Sequence, residues 1–258
     1  MTERTDPPID FLGLPIDPLG AEQVVEILAA RPAGAPFVYM VTPNAQHLVR
    51  LADNEGVWRQ AYAGAWLRLS DGHVVQRLAR LILGMRLPYA SGSDVTMRLV
   101  ASHIKPSDAV TVIGGSAILE AALKQRFGWN NLALFDPPFG LLHDSKAQQD
   151  CLDFLRAHPA RYVFFAIGSP QGEWVAAQAA KLEGLTGVGL CIGGSLLFAT
   201  GLVKRAPQWV RHLGLEGLFR LAQKPRGHFR RVFVDSLPVI WLLVRGRFGG
   251  RILPRDGL

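Results

Sequence analysis

The stretch AVTVIGGSAILEAALKQRF, residues 109–127, changes character once. Ala109 to Ile113 is a short apolar run of the kind buried on both faces of a sheet. Gly114-Gly115-Ser116 interrupts it, and helix-compatible sequence follows to Phe127. A strand that passes through a glycine turn into a helix is the repeating unit of a parallel sheet. The unit recurs on both sides. Phe37 to Val41 reads as a buried strand that turns at Thr42-Pro43-Asn44 into a helix. A second helix, Asn54 to Ala63, leads to the strand Ala65 to Leu69, which Ser70-Asp71-Gly72 closes. Ile16 to Leu19 precedes a helix near Ala21 to Ala30, and Ser91-Gly92-Ser93-Asp94 opens a helix to Ile104, with Ser93 or Asp94 as its cap. Leu132 to Phe135, Tyr162 to Ile167 and Gly187 to Ile192 read as further strands. The expected body is an α/β, Rossmann-like, mainly parallel sheet with helices on both faces.

In such a sheet a ligand lies beyond the carboxyl ends of the strands. The sequence sets polar residues and glycines at those ends: Thr42 and Asn44, Asp71 and Gly72, Gly114 to Ser116, Asp136 to Gly140, Gly168 to Gln171, and Gly193 to Ser195. Their convergence marks a ligand site and leaves its chemistry open.

Charge is distributed unevenly. From Val203 onward there are 12 Lys and Arg against 3 Asp and Glu, whereas the preceding 202 residues carry 16 against 18. The chain thus divides into a nearly neutral body, 1–202, and a basic helical appendage, 203–258. A cationic tail suits anionic partners such as phosphates or an acidic lipid surface, and equally suits a solvated helix pair. With 49% hydrophobic residues the chain can bury a sizeable core. Cys151 and Cys191 lie in apolar patterns without metal-ligand spacing, which fits a reducing, cytoplasmic compartment. MTERTDPPIDFLG does not read as a signal peptide. Val232 to Val244 is apolar but interrupted by Asp235, Ser236 and Pro238, and it falls short of the roughly 20 residues of a membrane span; it suits lying on a bilayer. No nucleic-acid reading motif accompanies the charge.

Individual motifs leave alternatives open. Gly114-Gly115-Ser116 offers helix N-terminal amides to a phosphate or ribose, or is a bare turn; it is not GxGxxG, and no Walker A or GxSxG pattern occurs. Asp71, at a strand end and followed by Gly72, suits a general base, or it caps a helix that starts at Gly72. Gln171 and Glu173 suit hydrogen bonds to a nucleobase, ribose or sugar, or belong to a helix-initiating turn.

The joint order of these segments, from about Leu12 to Val232, resembles the WecG/TagA/CpsF glycosyltransferases, glycosyltransferase family 26. Thr42-Pro43-Asn44 and Asp71-Gly72 resemble the family's TPN and DG motifs, and Ser91-Gly92-Ser93-Asp94-Val95 its TGSDL segment. Gly168-Ser169-Pro170-Gln171-Gly172-Glu173 resembles GxPxQE, with Gly172 where Gln is usual. Gly193 to Gly201 matches GGxFDFxxG in outline, with Leu196 and Leu197 replacing Phe and Asp. Lys204-Arg205-Ala206-Pro207, Trp209, Gly214-Leu215-Glu216, Arg220-Leu221 and Pro225-Arg226 resemble the C-terminal signature.

The resemblance implies a GT-E-like fold and an inverting, metal-independent transferase. It would move a sugar from a UDP-sugar to a polyprenyl-diphosphate-linked saccharide during surface polysaccharide assembly. Asp71 would be the base, and Thr42, Asn44 and Gly72 would position substrate. Ser93, Asp94, Gly114, Gly115, Gly168, Pro170, Gln171 and Glu173 would contact the sugar or nucleotide. No Asp-x-Asp occurs to hold a divalent ion, so the leaving diphosphate would be met by Arg205, Arg220, Arg226 and Arg231, chosen from a tail that also offers Arg211 and Arg230. No cofactor is implied. The tail, with Trp209, Phe219, Phe229, Phe233 and Trp241 among its cations, would close over the site at the inner face of the cytoplasmic membrane. The chain would work without nucleic acid, and a homo-oligomer is compatible. A non-catalytic nucleotide-sugar or lipid-phosphate binding protein would need the same loops.

Overall fold

A computed structural model describes residues 6–53, 56–223 and 230–251. The 109–127 stretch forms strand β5 (Val110–Ile113) and helix α6 (Ala117–Phe127). Strand β5 pairs in parallel with β6 (Leu132–Phe135) on one side and β7 (Tyr162–Phe165) on the other. Then follow β8 (Val188–Cys191), β3 (Val38–Val41) and the two-residue β4 (Leu67–Arg68), giving the order β4-β3-β8-β7-β5-β6, all parallel. The strands β5, β7 and β8 are buried at every residue, as inner strands covered on both faces must be. At Gly189 in β8, an added Cβ would lie 2.7 Å from the rings of both Phe165 and Phe37, so the glycine makes room for two aromatics over the strand.

Alternate side chains divide the interior in two. Tyr39, Val41, Ile113, Val163 and Phe165 face one core, closed by α2 (Ala45–Ala52), α3 (Gly56–Ala63), α7 (Ser145–Ala157) and α8 (Gln171–Ala179). Met40, Val110, Val112, Phe164 and Leu190 face the other, closed by α1 (Ala21–Ala30), α5 (Gly92–Ser102), α6 and α9 (Ser195–Thr200). The apolar run at Ile16 proves to end an antiparallel hairpin of β1 (Ile9–Phe11) and β2 (Leu14–Ile16), unforeseen in the sequence. It turns through Leu12 and Gly13, both at positive φ, and buries Phe11, Leu14 and Ile16 in the first core. The helix expected from Asn54 is described from Gly56; residues 54 and 55 lie outside the described residues.

Helix α4 (His73–Leu78) runs into a π-helical segment, Ala79–Leu83, that ends at the left-handed Gly84. The tail begins after the left-handed Gly201 and forms α10 (Gln208–His212) and α11 (Glu216–Gln223). A second π-helical segment, Arg231–Ser236, precedes α12 (Pro238–Arg247). Val239 and Leu243 of α12 are buried in the first core beside α2 and α4. Arg247 Nη1 donates to the Ile82 carbonyl at 2.7 Å, Arg77 Nη1 to the Leu213 carbonyl at 3.0 Å, and Arg50 pairs with Asp235 at 3.5 Å. The tail therefore folds back across the carboxyl ends of β3 and β4.

Candidate active site

Because every strand of the sheet is parallel, all six of its polar loops emerge at one edge. Beyond β3, Thr42 is buried, and Asn44 caps α2 with its Oδ1 accepting from the N–H groups of Gln46 and His47 at 3.0 and 3.3 Å. Asn44 Nδ2 faces His47 Nε2 at 3.4 Å, and His47 Nδ1 is 2.8 Å from the Tyr62 hydroxyl, so a buried histidine and tyrosine stand behind this asparagine.

The Asp71 N–H donates to the Pro43 carbonyl at 3.0 Å, which ties the β4 loop to the β3 loop and brings Asp71 beside Asn44. Asp71 is not the helix cap that the sequence also allowed. Helix α4 starts at His73, with Gly72 at its N-cap, and Gly72 takes φ +103, which a residue with a Cβ rarely adopts. The His73 ring stacks on Tyr89 at 3.9 Å.

At the start of α5 the expectation of Ser93 or Asp94 as cap is corrected. Ser91 is the N-cap, its Oγ accepting from Asp94 N–H at 3.0 Å and donating to Asp94 Oδ2 at 2.6 Å. Asp94 sits in the first turn, where its carboxylate also complements the helix dipole. Its Oδ1 accepts from Arg205 Nη1 at 2.7 Å and from Arg211 Nη1 at 3.2 Å. Burial alone would raise this carboxyl, but the hydrogen bonds from Arg205 and Ser91 and the two guanidinium charges prevail and lower it to about 2. Ser93 Oγ lies 3.0 Å from Ser195 Oγ, which itself donates to the Ile192 carbonyl and so joins α5 to the β8 loop.

Between these body loops and the tail lies a cleft of about 340 Å³. Its polar floor is Asn44, Asp71, Gly72, Ser91 and Ser93; Arg205, Arg211 and Glu216 enter from the tail. Val74, Val75 and Leu78 of α4 and Leu218, Leu237, Val239 and Ile240 of the tail make the remaining wall apolar. One cavity thus holds two carboxylates, Asp71 and Glu216, two guanidiniums and an apolar side. Among the described residues, no group of three or more His, Cys, Asp or Glu is arranged to hold a metal ion.

The other expected contacts lie outside this lining. Gly114 and Gly115 take φ +98 and +123 at the end of β5, and Gly115 N–H donates to Asp136 Oδ1 at 3.2 Å, beside the Ser116 cap of α6. This turn lies at the same sheet edge. Gly168 and Pro170 form the turn into α8, where the Gln171 amide, oriented to satisfy its neighbours, donates back to the Gly168 carbonyl at 2.7 Å. Glu173 is only 4% exposed; it accepts from the Ser169 hydroxyl at 2.5 Å, and burial raises its pKa. Leu197 packs against the second core. Arg226 lies outside the described residues, as do the side chains of Arg220 and Arg231.

Sequence reasoning did not select the apolar wall, and it placed Ser91 only within the segment that resembles TGSDL. Arg211 was one tail cation among several. Its position within helix α10, two residues after Trp209, was the available signal.

The chain matches the family model described as Glycosyl transferase WecG/TagA/CpsF family over residues 9–252. The match runs from the hairpin through α12 and so takes in both the sheet and the tail that faces it.

Proposed function

Because the chain belongs to the WecG/TagA/CpsF family of glycosyltransferases, we propose that it moves a sugar from a UDP-sugar to a polyprenyl-diphosphate-linked saccharide, with inversion and without a metal ion, in surface polysaccharide assembly. The observation that carries this reading is the cleft in which Asp71 and the guanidiniums of Arg205 and Arg211 share one cavity with an apolar wall. Asp71 accepts the proton of the acceptor hydroxyl as that oxygen attacks the anomeric carbon. The bond from that carbon to the diphosphate breaks, and its electron pair leaves on the β-phosphate oxygen. A single displacement from the opposite face inverts the anomeric centre. Arginines meet the leaving charge, their planar donors matching phosphate oxygens. The nucleoside end takes the loop at Gly114, Gly115 and Asp136, on the side of the Gly168–Gln171 turn.

The apolar wall of Val74, Leu78, Leu218 and Ile240 suits the first isoprene units of the acceptor. Outside the cleft, Leu213, Trp241 and Val244 are exposed, and Arg245 stands over the Trp241 ring at 4.6 Å. No helix among the described residues is long and apolar enough to cross a membrane. This face rests at headgroup depth on the inner leaflet, where aromatic and cationic side chains partition together.

The test is turnover of a panel of UDP-sugars with a synthetic lipid-diphosphate-sugar acceptor in EDTA, for the wild type and Asp71→Asn. Turnover in EDTA, reduced about 10²- to 10⁴-fold by the substitution while UDP binding survives, is expected. Full activity in the variant would sink Asp71 as base. Intact UDP binding with no turnover over a broad panel would favour a binding protein.

A further inference from the structure

Two arginines of the tail depend on one carboxylate of the body. Arg205 and Arg211 both donate to Asp94 Oδ1, and Arg205 Nη2 also reaches Ser91 Oγ at 3.3 Å. These guanidiniums are largely buried, and the Nε–H of each is buried without a partner among the described residues. Side by side they repel each other, and only a shared anion makes their approach favourable. Two forked cations on one carboxylate also leave donors over, and both arginines line the cleft. Asp94 itself is absent from the cleft lining, its Oδ2 taken by the Ser91 hydroxyl.

We propose that Asp94 is a positioning residue: it holds Arg205 and Arg211 together as a diphosphate-binding pair and, by the same contacts, docks the tail over the cleft. Which substrate's diphosphate enters rests on the transferase reading above; the binding of a diphosphate group does not. The pair is preformed, so an arriving diphosphate meets two oriented guanidiniums rather than two free ones. Ser91 caps α5 through the backbone N–H of residue 94, and an amide there still accepts from the Ser91 hydroxyl. Asp94→Asn therefore removes charge and leaves the cap. Asp94→Glu keeps the charge on a longer arm.

The experiment is calorimetric titration of the full chain with inorganic pyrophosphate, beside a thermal melt of each variant. Wild type should bind. Asp94→Asn should weaken binding at least tenfold, Asp94→Glu should recover part of that loss, and Arg205→Gln with Arg211→Gln should abolish it. In a background of Arg211→Gln alone, Asp94→Asn should weaken pyrophosphate binding less than it does in the wild type, because one of the two guanidiniums it positions is already gone. Unchanged or tighter binding by Asp94→Asn would overturn the proposal, as would pyrophosphate binding that ignores the arginine substitutions. If Asp94→Asn does not fold, Asp94→Glu and the arginine variants decide by the same criteria. A wild type that turns over lipid-linked acceptor yet does not bind pyrophosphate refutes this inference and leaves the transferase reading standing.

Discussion

Helix α12 carries two large apolar residues two positions apart with opposite environments: Leu243 is fully buried in the core it shares with α2 and α4, and Trp241 is 59% exposed. Truncating Leu243 to Ala removes buried methyl groups from a site bounded by a strand-backed helix layer that cannot close around the gap. Such changes cost about 2–5 kcal/mol. For a chain of this size that corresponds to a fall in melting temperature of about 5–15 °C. Trp241→Ala removes a side chain that mostly faces solvent, and its cost in water should stay within about 0.5 kcal/mol. Its effect belongs elsewhere. On vesicles rich in anionic phospholipid, Trp241→Ala should lower the bound fraction in a sedimentation assay, with the melt unchanged. Leu243→Ala, assayed below its own melting range, should bind vesicles less well only as far as the tail has come away. The reasoning fails if Leu243→Ala melts within about 2 °C of wild type, a shift below the cost of a core cavity, or if Trp241→Ala destabilises more than Leu243→Ala. Either result would mean that the tail does not complete the body's core.

Gly114→Ala should destabilise by about 3 kcal/mol in denaturant melts, because the residue takes φ +98 and its Cβ would come within 2.8 Å of the Ile167 nitrogen and 2.9 Å of the Ala166 carbonyl carbon; a cost below about 1 kcal/mol would refute the close approach of β5 to β7. Glu173→Gln should stabilise increasingly as pH rises. Burial, partly opposed by the Ser169 hydrogen bond, raises this carboxyl above its ordinary value, so the unfolded chain gives up the proton first and wild-type stability falls as pH climbs toward the folded pKa. The melting difference between variant and wild type should therefore be larger at about pH 8 than at about pH 5, and an equal difference at both would show that the carboxyl is not buried as described.

Sequence carried β5, β7 and β8 well because they are inner strands. VTVI, YVFF and VGLC are short, mostly apolar runs bounded by glycine turns, and each was read within one or two residues of its observed ends. The hairpin at β1 and β2 was missed because three-residue strands give too little alternation to register, and its turn uses Leu12 at φ +56 where a glycine would have signalled it. The cap of α5 was misplaced because Ser91, Ser93 and Asp94 are all good capping types. Packing chose among them: an added Cβ on Gly92 would lie 3.2 Å from Thr42 Oγ1, so Gly92 brings the first turn onto the end of β3. For the site, Asn44 and Asp71 were legible as strand-end residues of adjacent strands. The partners of Asp94 were not, because they lie more than 100 residues away on a segment whose sequence announces charge but no address.

That separation bears on how the proposed chemistry is controlled. Of the polar side chains lining the cleft, the body supplies Asn44, Asp71, His73, Ser91 and Ser93, while Glu216 and both arginines come from the tail. A base without cations opposite can take a proton, yet nothing there stabilises a departing diphosphate, and loss of such stabilisation costs roughly 10²–10³ in rate for a single donor in comparable sites. Half of the reaction is thus assigned to a segment held by Asp94 on one side and by Val239 and Leu243 on the other. The same segment presents Trp241 and Val244 outward. A surface that seats the tail on lipid therefore also seats the arginines over Asp71, and under the proposed function the charge that releases UDP is assembled where the lipid-linked acceptor is found.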